Sequence, residues 1–516
     1  MKRNPVLTRI AAAVLLAAAL LSIPSCRKGF EKPETGRYYD VTADGERYFV
    51  LFDSYDEDKG LAKGHFYAVE DTLAYRHDVL AKFNRNRISV QSDGKDVKLK
   101  YSRVSCSEYK EPPYREGDLL VYRKKYCKVS ATPDICFGHA EGYWTSLQGA
   151  EQDLSRIFTQ GYIKSFKKKD LELTLDLYRP EGIQGKRPLI LFIHGGAFYI
   201  GNKEEPAYID FCRHFAEMGY ITASMNYRLG FHISKNEIER AGYVALQDAH
   251  AALRFLCANA DEYGIDPGRV FVAGSSAGAI TALNLAFMND EVRPDSSRGK
   301  KAFLTNKKDL GDIDSSGNDL KADFKIAAIA NMWGAITDLE LLDNAKTSIV
   351  SFHGEADTTV PYGEGYPLAS AGETLAKMLS ELMYGSSCID KKAEEAGLRH
   401  RFYSFPGEKH TLNTTGKDKT PNRNHDFIKS RMEEFFFEEM VPETAAMRWE
   451  SPGCYSVSGT GISDVQWKVD GGFIFPEEDG KVRVIWCAEK NHGLTAAGTY
   501  GNGIGWVSQL QADKGL

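Results

Sequence analysis

The chain has 516 residues, which is too long for one ordinary hydrophobic core and predicts two or three domains. Hydrophobic residues make up 42% of the chain and charged residues 26%, proportions that are ordinary for globular protein. The formal net charge of −6 offers no basic face of the kind that nucleic-acid binding requires, so we expect no nucleic-acid partner.

The first 25 residues have the composition of an export signal. Lys2, Arg3 and Arg9 give a positive start, and the apolar run over 10–23 that follows is too short to cross a bilayer. Ile23-Pro-Ser-Cys26 then resembles a bacterial lipobox, whose cysteine is lipidated after the signal is removed. The alternative is an ordinary secretory signal, in which Cys26 has no such role. We expect an exported protein: a lipoprotein at the cell envelope or surface, otherwise a periplasmic or secreted protein.

Residues 26–140 are predicted to be rich in β-strands. Runs of aromatic and β-branched residues, such as 47–52 and 65–69, are separated by glycines, which favour turns. No sequence pattern in this region indicates a catalytic or binding site. The region is predicted to be either a small β-domain or an extended lead-in to the catalytic domain, and its role is left open.

Residues 141–440 show alternating strand and helix patterns. Leucines alternate with polar residues over 171–177, which indicates a half-buried strand, and 188–193 is an apolar run typical of a buried central strand. The continued alternation predicts an α/β domain with a mostly parallel, doubly wound sheet. The polar segment from Asn289 to Ala322 interrupts this pattern, either as part of a cap over a site or as a mobile surface insertion.

Residues 449–516 return to short alternating strands joined by turns with Gly and Asp, which predicts a small β-sandwich. Trp467-Lys-Val-Asp-Gly-Gly472 and Val482-Arg-Val-Ile-Trp486 resemble bacterial PKD-like, immunoglobulin-like modules. The resemblance implies a spacer or an adhesive domain of an extracellular protein. We expect Trp467 and Trp486 themselves to belong to the core of the sandwich.

Eight cysteines follow Cys26, and none of them forms a C-x-x-C pair, so the sequence predicts no structural zinc site. An oxidising compartment permits disulfides, but spacing does not determine the pairing, which stays open. Cys212 and Cys257 lie in helical apolar patterns and are expected to be buried as small hydrophobic residues.

Gly274-Ser-Ser-Ala-Gly278 has a pattern that indicates a catalytic serine. It follows an apolar strand at 270–273 and precedes a helical segment at 279–287, so strand, sharp turn and helix come in the order of a nucleophile elbow. Small residues on both sides let the backbone turn tightly and expose the hydroxyl of Ser276. The N-terminus of the following helix also favours a negatively charged intermediate at this place. Ser276 is therefore the predicted nucleophile.

His194-Gly-Gly-Ala-Phe198 follows the buried central strand. Its glycines let backbone N–H groups approach a carbonyl oxygen. Gly196 and Ala197, together with Ala277 directly after the nucleophile, are therefore the predicted oxyanion donors. His194 is expected to shape this loop rather than to act as a base.

Residues from about 171 to 410 resemble the carboxylesterase and lipase branch of the α/β-hydrolases. The shared motifs are the H-G-G-[GA]-[FW] loop, the G-[DES]-S-A-G elbow, Asn226-Tyr-Arg228 and Tyr263-Gly-Ile-Asp-Pro267. The resemblance implies a serine carboxylesterase with a Ser–Asp–His triad and without a metal or cofactor. We expect a small-molecule or polysaccharide-linked ester as substrate, while the identity of the ester and the oligomeric state stay open.

The resemblance also indicates the two partners of Ser276. The segment His353-Gly-Glu-Ala-Asp357, followed by Val360-Pro361, is similar to the family's H-G-x-x-D-x-x-V-P segment, which makes Asp357 the acid that orients the base. His410 follows the last predicted strand and is the predicted general base. The 53 residues from Asp357 to His410 include a helical insertion at 363–398. The weaker candidates are Asp338 and Glu355 for the acid, and His353, His400 and His425 for the base.

Two other functions stay open at this point. A serine peptidase of the prolyl-oligopeptidase kind shares the triad, but such enzymes usually have a large N-terminal propeller and a further glycine where this chain has Ala279. A catalytically silent adhesion protein uses the same fold, but such proteins typically lose a triad residue, whereas this chain keeps all three. Carboxylic ester hydrolysis is therefore the leading prediction.

Overall fold

The computed structural model describes residues 33–43, 46–69, 76–84, 87–92, 95–96, 104–107, 117–146, 167–182, 185–232, 236–302, 305–369, 372–416, 419–440, 445–487, 492–501 and 503–511. The chain forms two compact units, the first of Met1–Leu119, Glu443–Asn502 and Trp506–Leu516, the second of Leu120–Pro442 and Gly503–Gly505. The predicted export signal and Cys26 lie outside the described residues. Among the described residues, no helix is long and apolar enough to span a bilayer.

Among the described residues of the second unit, eight strands form one sheet. In chain order they are β1 (Val129–Gly142), β2 (Lys169–Pro180), β3 (Arg187–Ile193), β4 (Ile221–Met225), β5 (Ile265–Ser275), β6 (Ile326–Met332), β7 (Ser348–Gly354) and β8 (His400–Phe405). Their spatial order is β1-β2-β4-β3-β5-β6-β7-β8. The pairs β1–β2 and β2–β4 are antiparallel, and the remaining pairs are parallel. The predicted α/β class with a mostly parallel sheet is confirmed.

The described part of this unit also contains seven α-helices. They are α1 (Pro206–Glu217), α2 (Glu237–Ala258), α3 (Ala260–Tyr263), α4 (Ala277–Phe287), α5 (Glu373–Leu379), α6 (Ser386–Glu395) and α7 (Arg423–Met440). The described part of the unit also contains short strands: Lys300–Ala302, Thr305–Lys307, Ala335–Ile336, Glu364–Gly365, Met383–Gly385, Thr414–Thr415 and Thr420–Pro421.

Helices cover both faces of the sheet. Every residue of β3 is buried, as a central strand between two helix layers requires. On one face, Phe192 of β3 stacks on Phe211 of α1 with ring centroids 5.5 Å apart, and Phe271 of β5 lies 4.5 Å from Phe436 of α7. The alternate residues of β3 point to the opposite face and join a hydrophobic cluster with α2 and α4. This double winding, together with the strand order, is the α/β-hydrolase fold.

The second unit begins earlier in the chain than the predicted boundary at residue 141. Most of β1 lies in the region that was predicted to belong to the N-terminal segment, and it pairs with β2 from Val129 to Gly142. The prediction missed this strand because it is the edge of the sheet. Residues 131–134 are exposed, so no apolar run marks the strand in the sequence.

The polar insertion at 289–322 packs on α2. The side-chain amide of Gln247 donates to the carbonyl oxygens of Leu310 and Asp312, both at 2.9 Å. Arg254, also on α2, donates to the carbonyl oxygen of Asn318 at 3.0 Å. These bonds join charged and amide side chains of a buried helix to the insertion backbone. The described part of the insertion is therefore attached to α2 through buried side chains.

In the first unit, the described residues near the N-terminus form one antiparallel sheet. Its seven strands, in spatial order, are Lys95–Asp96, Arg87–Ser92, Arg76–Asn84, Leu61–Ala68, Glu46–Asp56, Tyr38–Ala43 and Val104–Ser107. The C-terminal strands, together with Asp118–Leu119, form two four-stranded sheets. One contains Ala446–Ser451, Cys454–Ser458, Val482–Trp486 and Gly472–Pro476, and the other Ile462–Asp470, Gly493–Tyr500, Gly505–Gln511 and Asp118–Leu119.

The N-terminal and C-terminal regions of the first unit share one hydrophobic core. Tyr38, Phe49 and Tyr67 cluster with Phe475 and Ile485, and the ring centroids of Tyr67 and Phe475 lie 4.9 Å apart. The two regions that the sequence predicted as separate domains therefore belong to one unit, which corrects the predicted division. Contacts between segments so far apart in the chain leave no local sequence pattern. The likeness of the C-terminal strands to PKD-like modules stays a prediction.

The tryptophans and cysteines that were expected to be buried differ in their exposure. Trp486 is buried, as a core residue should be, whereas Trp467 is only half-buried. Cys212 and Cys257 are buried as predicted, with fractional exposures of 0% and 6%. Seven of the cysteines in the described part of the chain are free thiols.

Candidate active site

Ser276 lies in the tight turn between β5 and α4. Its backbone has a φ of 54° and a ψ of −121°, a strained conformation for any residue other than glycine. The flanking glycines are required by close contact: a Cβ atom on Gly274 would collide with the backbone of Gly278, and one on Gly278 with the carbonyl oxygen of Ile193. The turn therefore places the serine hydroxyl at the end of β5.

The structure brings Ser276, His410 and Asp357 together. The Nε2 atom of His410 lies 2.9 Å from Oγ of Ser276, and its Nδ1 atom lies 2.7 Å from Oδ2 of Asp357. Asp357 follows β7 and His410 follows β8, so both lie at the carboxyl ends of parallel strands, on the side of the sheet where β5 ends at Ser276. With Nδ1–H donating to the carboxylate, Nε2 is left to accept the serine proton. General-base activation of a serine requires this arrangement.

The carboxylate of Asp357 is buried, and each of its oxygens accepts two hydrogen bonds. Oδ1 accepts the backbone N–H groups of Thr359 at 2.8 Å and of Val360 at 3.1 Å. Oδ2 accepts from His410 and, at 3.2 Å, from His353. Burial by itself raises the pKa of Asp357, but the hydrogen bonds from the two histidines and from the Thr359 amide outweigh it, and this pKa lies well below its usual range. Asp357 is therefore ionised at neutral pH.

The depressed pKa of Asp357 predicts a pH-dependent contribution to stability. A carboxyl group whose pKa is lower in the folded than in the unfolded protein stabilises the fold above its unfolded pKa of about 3.9, and this contribution is lost as the pH falls towards the folded value. We expect the free energy of unfolding of Asp357→Asn to lie below that of the wild type at about pH 7, with a difference that shrinks below about pH 4. Urea unfolding of both proteins across this range measures it. A difference of constant size down to about pH 3 would contradict the prediction.

The loop after β3 brings backbone N–H groups next to the nucleophile. Gly196 and Ala197 have positive φ angles of 106° and 52°. The loop approaches Ser276 closely, because a Cβ atom on Gly195 would lie 3.3 Å from the Cβ atom of Ser276. Ala197 and Ala277 line the same cavity as Ser276. Within the described part of the chain, the N–H groups of Gly196, Ala197 and Ala277 donate no hydrogen bond, which leaves them available to a substrate oxygen.

His194 shapes this loop and does not contact Ser276. Its ring is fully buried and stacks on the ring of Tyr227, with centroids 4.3 Å apart. Its Nδ1 atom lies 2.7 Å from the carbonyl oxygen of Gly195. Burial lowers the pKa of His194 to about 3, against a smaller opposing effect of that hydrogen bond. The ring is therefore neutral and has a structural role.

The weaker candidates from the sequence make other contacts. The carboxylate of Asp338 accepts the backbone N–H of Glu340 at 2.9 Å, and that of Glu355 accepts the hydroxyl of Ser404 at 2.7 Å. His400 bonds to the carbonyl oxygen of Leu398, and the buried ring of His425 bonds to the carboxylate of Asp210 on α1. The structure brings none of these four residues into contact with Ser276.

The sequence pointed to His353 only as a weaker candidate for the base, and it gave no indication of the other groups behind Asp357. His353, Ser386 and Asn331 continue from it in a buried series of hydrogen bonds. His353 belongs to the same H-G-x-x-D segment that pointed to Asp357, so its position carried a signal. Ser386 comes from α6 and Asn331 from the end of β6, and no pattern in the sequence connects either of them to Asp357.

In the described part of this unit, two cavities adjoin Ser276. One, of about 120 Å³, is lined mainly by apolar side chains, among them Phe198, Ile280 and Met383. The other, of about 110 Å³, is lined by Gly196 and His410, among others. An ester has an acyl group and an alcohol group on either side of its reacting carbon, so two cavities that share the nucleophile suit such a substrate. Within the described residues, no group of three or more His, Cys, Asp or Glu is placed to hold a metal ion.

One family model and two known esterases each match part of the chain. Residues 175–371 match the family model described as BD-FAE. Gut esterase 1 of Caenorhabditis briggsae is 35% identical over 115 residues, which cover 22% of this chain and 20% of that protein. Para-nitrobenzyl esterase of Bacillus subtilis (strain 168) is 31% identical over 138 residues, which cover 26% of this chain and 28% of that protein. The matching stretch therefore spans less than a third of the length of either relative.

Solved structures show a weaker likeness. Thermogutta terrifontis esterase 2 phosphoramylated by tabun gives a TM-score of 0.38 at 19% identity, over 52% of this chain and 90% of that chain. A truncated form of a carbohydrate esterase from gut microbiota gives 0.37 at 17% identity, over 64% of this chain and 99% of that chain. The fold assignment rests instead on the strand order and on the elbow at Ser276.

Proposed function

Because the site belongs to a domain with the α/β-hydrolase fold, we propose that the protein is a serine carboxylesterase. The observation that carries this proposal is the unbroken series of hydrogen bonds from Ser276 through His410 to Asp357, with Ser276 held in a strained elbow. The esterase relatives support the coarser conclusion that the chain is a carboxylic ester hydrolase. The presence of all three groups in contact argues against a catalytically silent protein.

The proposed reaction proceeds through an acyl-enzyme. His410 takes the proton of Ser276 while Oγ attacks the ester carbonyl, and the N–H groups of the oxyanion loop and of Ala277 stabilise the negative oxygen. Protonated His410 then gives its proton to the leaving alkoxide, which departs as the alcohol. Water, deprotonated by His410, attacks the acyl carbon, and collapse releases the carboxylic acid and returns the proton to Ser276. Asp357 orients the ring and stabilises its charged form throughout.

Hydrolysis of p-nitrophenyl acetate by the purified protein tests this proposal. We expect turnover, with an initial burst of p-nitrophenol if deacylation is the slower step. An organophosphate reagent should modify Ser276 and abolish that turnover. Folded protein that hydrolyses no short-chain ester at all would refute the proposal and favour a silent adhesion protein.

The matching anilide separates an esterase from a peptidase. p-Nitroacetanilide presents the same acyl group on a poorer leaving group, so an esterase should hydrolyse it far more slowly than the ester. A prolyl-oligopeptidase-type enzyme should cleave proline peptide anilides readily. Efficient cleavage of such anilides, with little activity on esters, would replace the esterase by the peptidase.

We also propose that the protein is exported and lipidated at Cys26. The positive start, the apolar run and the lipobox-like Ile23-Pro-Ser-Cys26 support this. Cells that express the wild type should incorporate labelled palmitate into the protein, and cells that express Cys26→Ala should not. Equal labelling of both proteins would contradict lipidation at this residue.

A further inference from the structure

We propose that His353 is a positioning residue of this site, whose ring N–H holds the Asp357 carboxylate in the orientation that His410 needs. The inference rests on the proposed ester hydrolysis, since it concerns how the acid of that reaction is held. His353 is fully buried and lines neither of the cavities beside Ser276, so it is placed to act through Asp357 and not on the substrate.

The proton on Nε2 of His353 follows from its neighbours. This nitrogen lies 3.2 Å from Oδ2 of Asp357 and 3.3 Å from the carbonyl oxygen of Val360. An ionised carboxylate and a backbone carbonyl only accept hydrogen bonds. Nε2 must therefore carry the hydrogen and donate it, so that Oδ2 of Asp357 receives one N–H from His353 and another from His410.

The opposite nitrogen of His353, Nδ1, accepts a hydrogen bond. This follows from a series of hydrogen bonds that ends at the backbone N–H of Gly334. The N–H of Gly334 donates to Oδ1 of Asn331 at 2.9 Å, which determines which way round the amide of Asn331 lies. Its Nδ2 group then donates to the hydroxyl oxygens of Ser386 and Ser351, both at 3.0 Å. Because Ser386 accepts from Asn331, its own hydrogen is free to donate to Nδ1 of His353, 2.8 Å away.

This series favours the form of His353 that carries its hydrogen on Nε2. His353, Ser386 and Asn331 each have a fractional exposure of 0%, so bulk water does not compete for their hydrogen bonds. A hydrogen bond in such surroundings is stronger than in water, and an unpaired partner is costly. These groups come from β6, β7 and α6, three regular elements. They hold the carboxylate of Asp357, which itself lies on a loop.

Two substitutions of His353 separate its hydrogen bond from its bulk. Glutamine keeps an N–H donor close to the place of Nε2, whereas methionine is apolar and of similar length. We expect His353→Met to lower kcat and kcat/KM for p-nitrophenyl acetate by the same factor, about 10 to 100, the range for loss of a hydrogen bond to a charged group. His353→Gln should recover most of the activity. Equal kcat in all three proteins would overturn the inference.

Two neighbouring serines on α6 provide a matched pair. The hydroxyl of Ser386 fixes the tautomer of His353, whereas that of Ser387 donates to the carbonyl oxygen of Tyr362 at 2.9 Å. We expect Ser386→Ala to lower kcat about three- to tenfold, because the ring is then less firmly held in the donating form. Ser387→Ala should leave kcat within about twofold of the wild type. Equal losses in the two variants would indicate disturbed packing and would overturn the inference.

A spectroscopic measurement on the wild type tests the hydrogen bond from His353 to Asp357 even if His353→Met does not fold. Nitrogen NMR of wild-type protein with labelled histidine should show His353 with a protonated Nε2 and an unprotonated Nδ1, the signals being identified by their absence in His353→Gln. A hydrogen on Nδ1 would overturn the inference. Wild-type protein without esterase activity would refute the proposed function, while an active wild type whose activity survives in His353→Met would refute only the role of His353.

Discussion

Replacing Ser276 with alanine is expected to lower kcat for p-nitrophenyl acetate by about 10⁶. The substitution removes the atom that forms the acyl-enzyme, while the oxyanion donors and the cavities remain. Rates about 10³–10⁴ above the uncatalysed reaction should therefore persist, as they do when a serine hydrolase loses a triad member. Steady-state and single-turnover kinetics on the purified variant measure the effect. The melting temperature should change little, because the hydroxyl makes only its bond to His410 among the described residues.

The adjacent serine provides the control for this substitution. Oγ of Ser275 bonds to the hydroxyl of Tyr208 at 2.6 Å and has no bond to His410. We expect Ser275→Ala to keep kcat within about tenfold of the wild type. Loss of activity in Ser275→Ala together with an active Ser276→Ala would show that the elbow presents the other serine.

His410→Ala is expected to lower kcat by a similar factor of about 10⁶. Its Nε2 atom is the acceptor for the serine proton at 2.9 Å, and no second base lies against Ser276 among the described residues. Because nucleophile and base act as one unit, the double variant Ser276→Ala/His410→Ala should be no slower than either single variant. Measurement of all three under one set of conditions, with protein free of contaminating esterase, tests this.

A surface-proximal histidine serves as the control for His410. His400 bonds to the carbonyl oxygen of Leu398 at 2.8 Å and lines neither cavity beside Ser276. We expect His400→Ala to change kcat by less than about twofold. If the losses of the two single triad variants multiplied in the double variant, Ser276 and His410 would be acting independently, and the proposed mechanism would be wrong.

The parts of the site that depend on neighbouring residues could be predicted from the sequence. An elbow needs small residues two before and two after the nucleophile, and the contact of Gly274 with Gly278 gives the physical reason. The oxyanion loop likewise depends on adjacent glycines directly after a buried strand. Asp357 and His410 could be assigned because each follows a recognisable strand in the family's order, although their catalytic roles stay predictions.

Features that depend on contacts between distant segments could not be predicted in this way. Ser386 and Asn331 meet His353 only because α6 and β6 pack around the end of β7, and a lone serine or asparagine carries no signal of that. β1 escaped prediction because an edge strand with exposed polar residues lacks the apolar pattern of a core strand. The division into domains failed for the same reason, since it was based on changes of local composition.

The shared core of the first unit has a consequence for the order of folding. The strands that carry Tyr38, Phe49 and Tyr67 are synthesised early, but Phe475 and Ile485, which complete their core, are synthesised only after the segment Leu120–Pro442 of the second unit. Contacts between such distant segments form slowly, and apolar surface stays exposed in the meantime. The strands of the eight-stranded sheet in the second unit all lie between Val129 and Phe405. This sheet can therefore form before the C-terminal strands are synthesised. The segment Leu120–Pro442 is thus an insertion that separates the two main segments of the first unit.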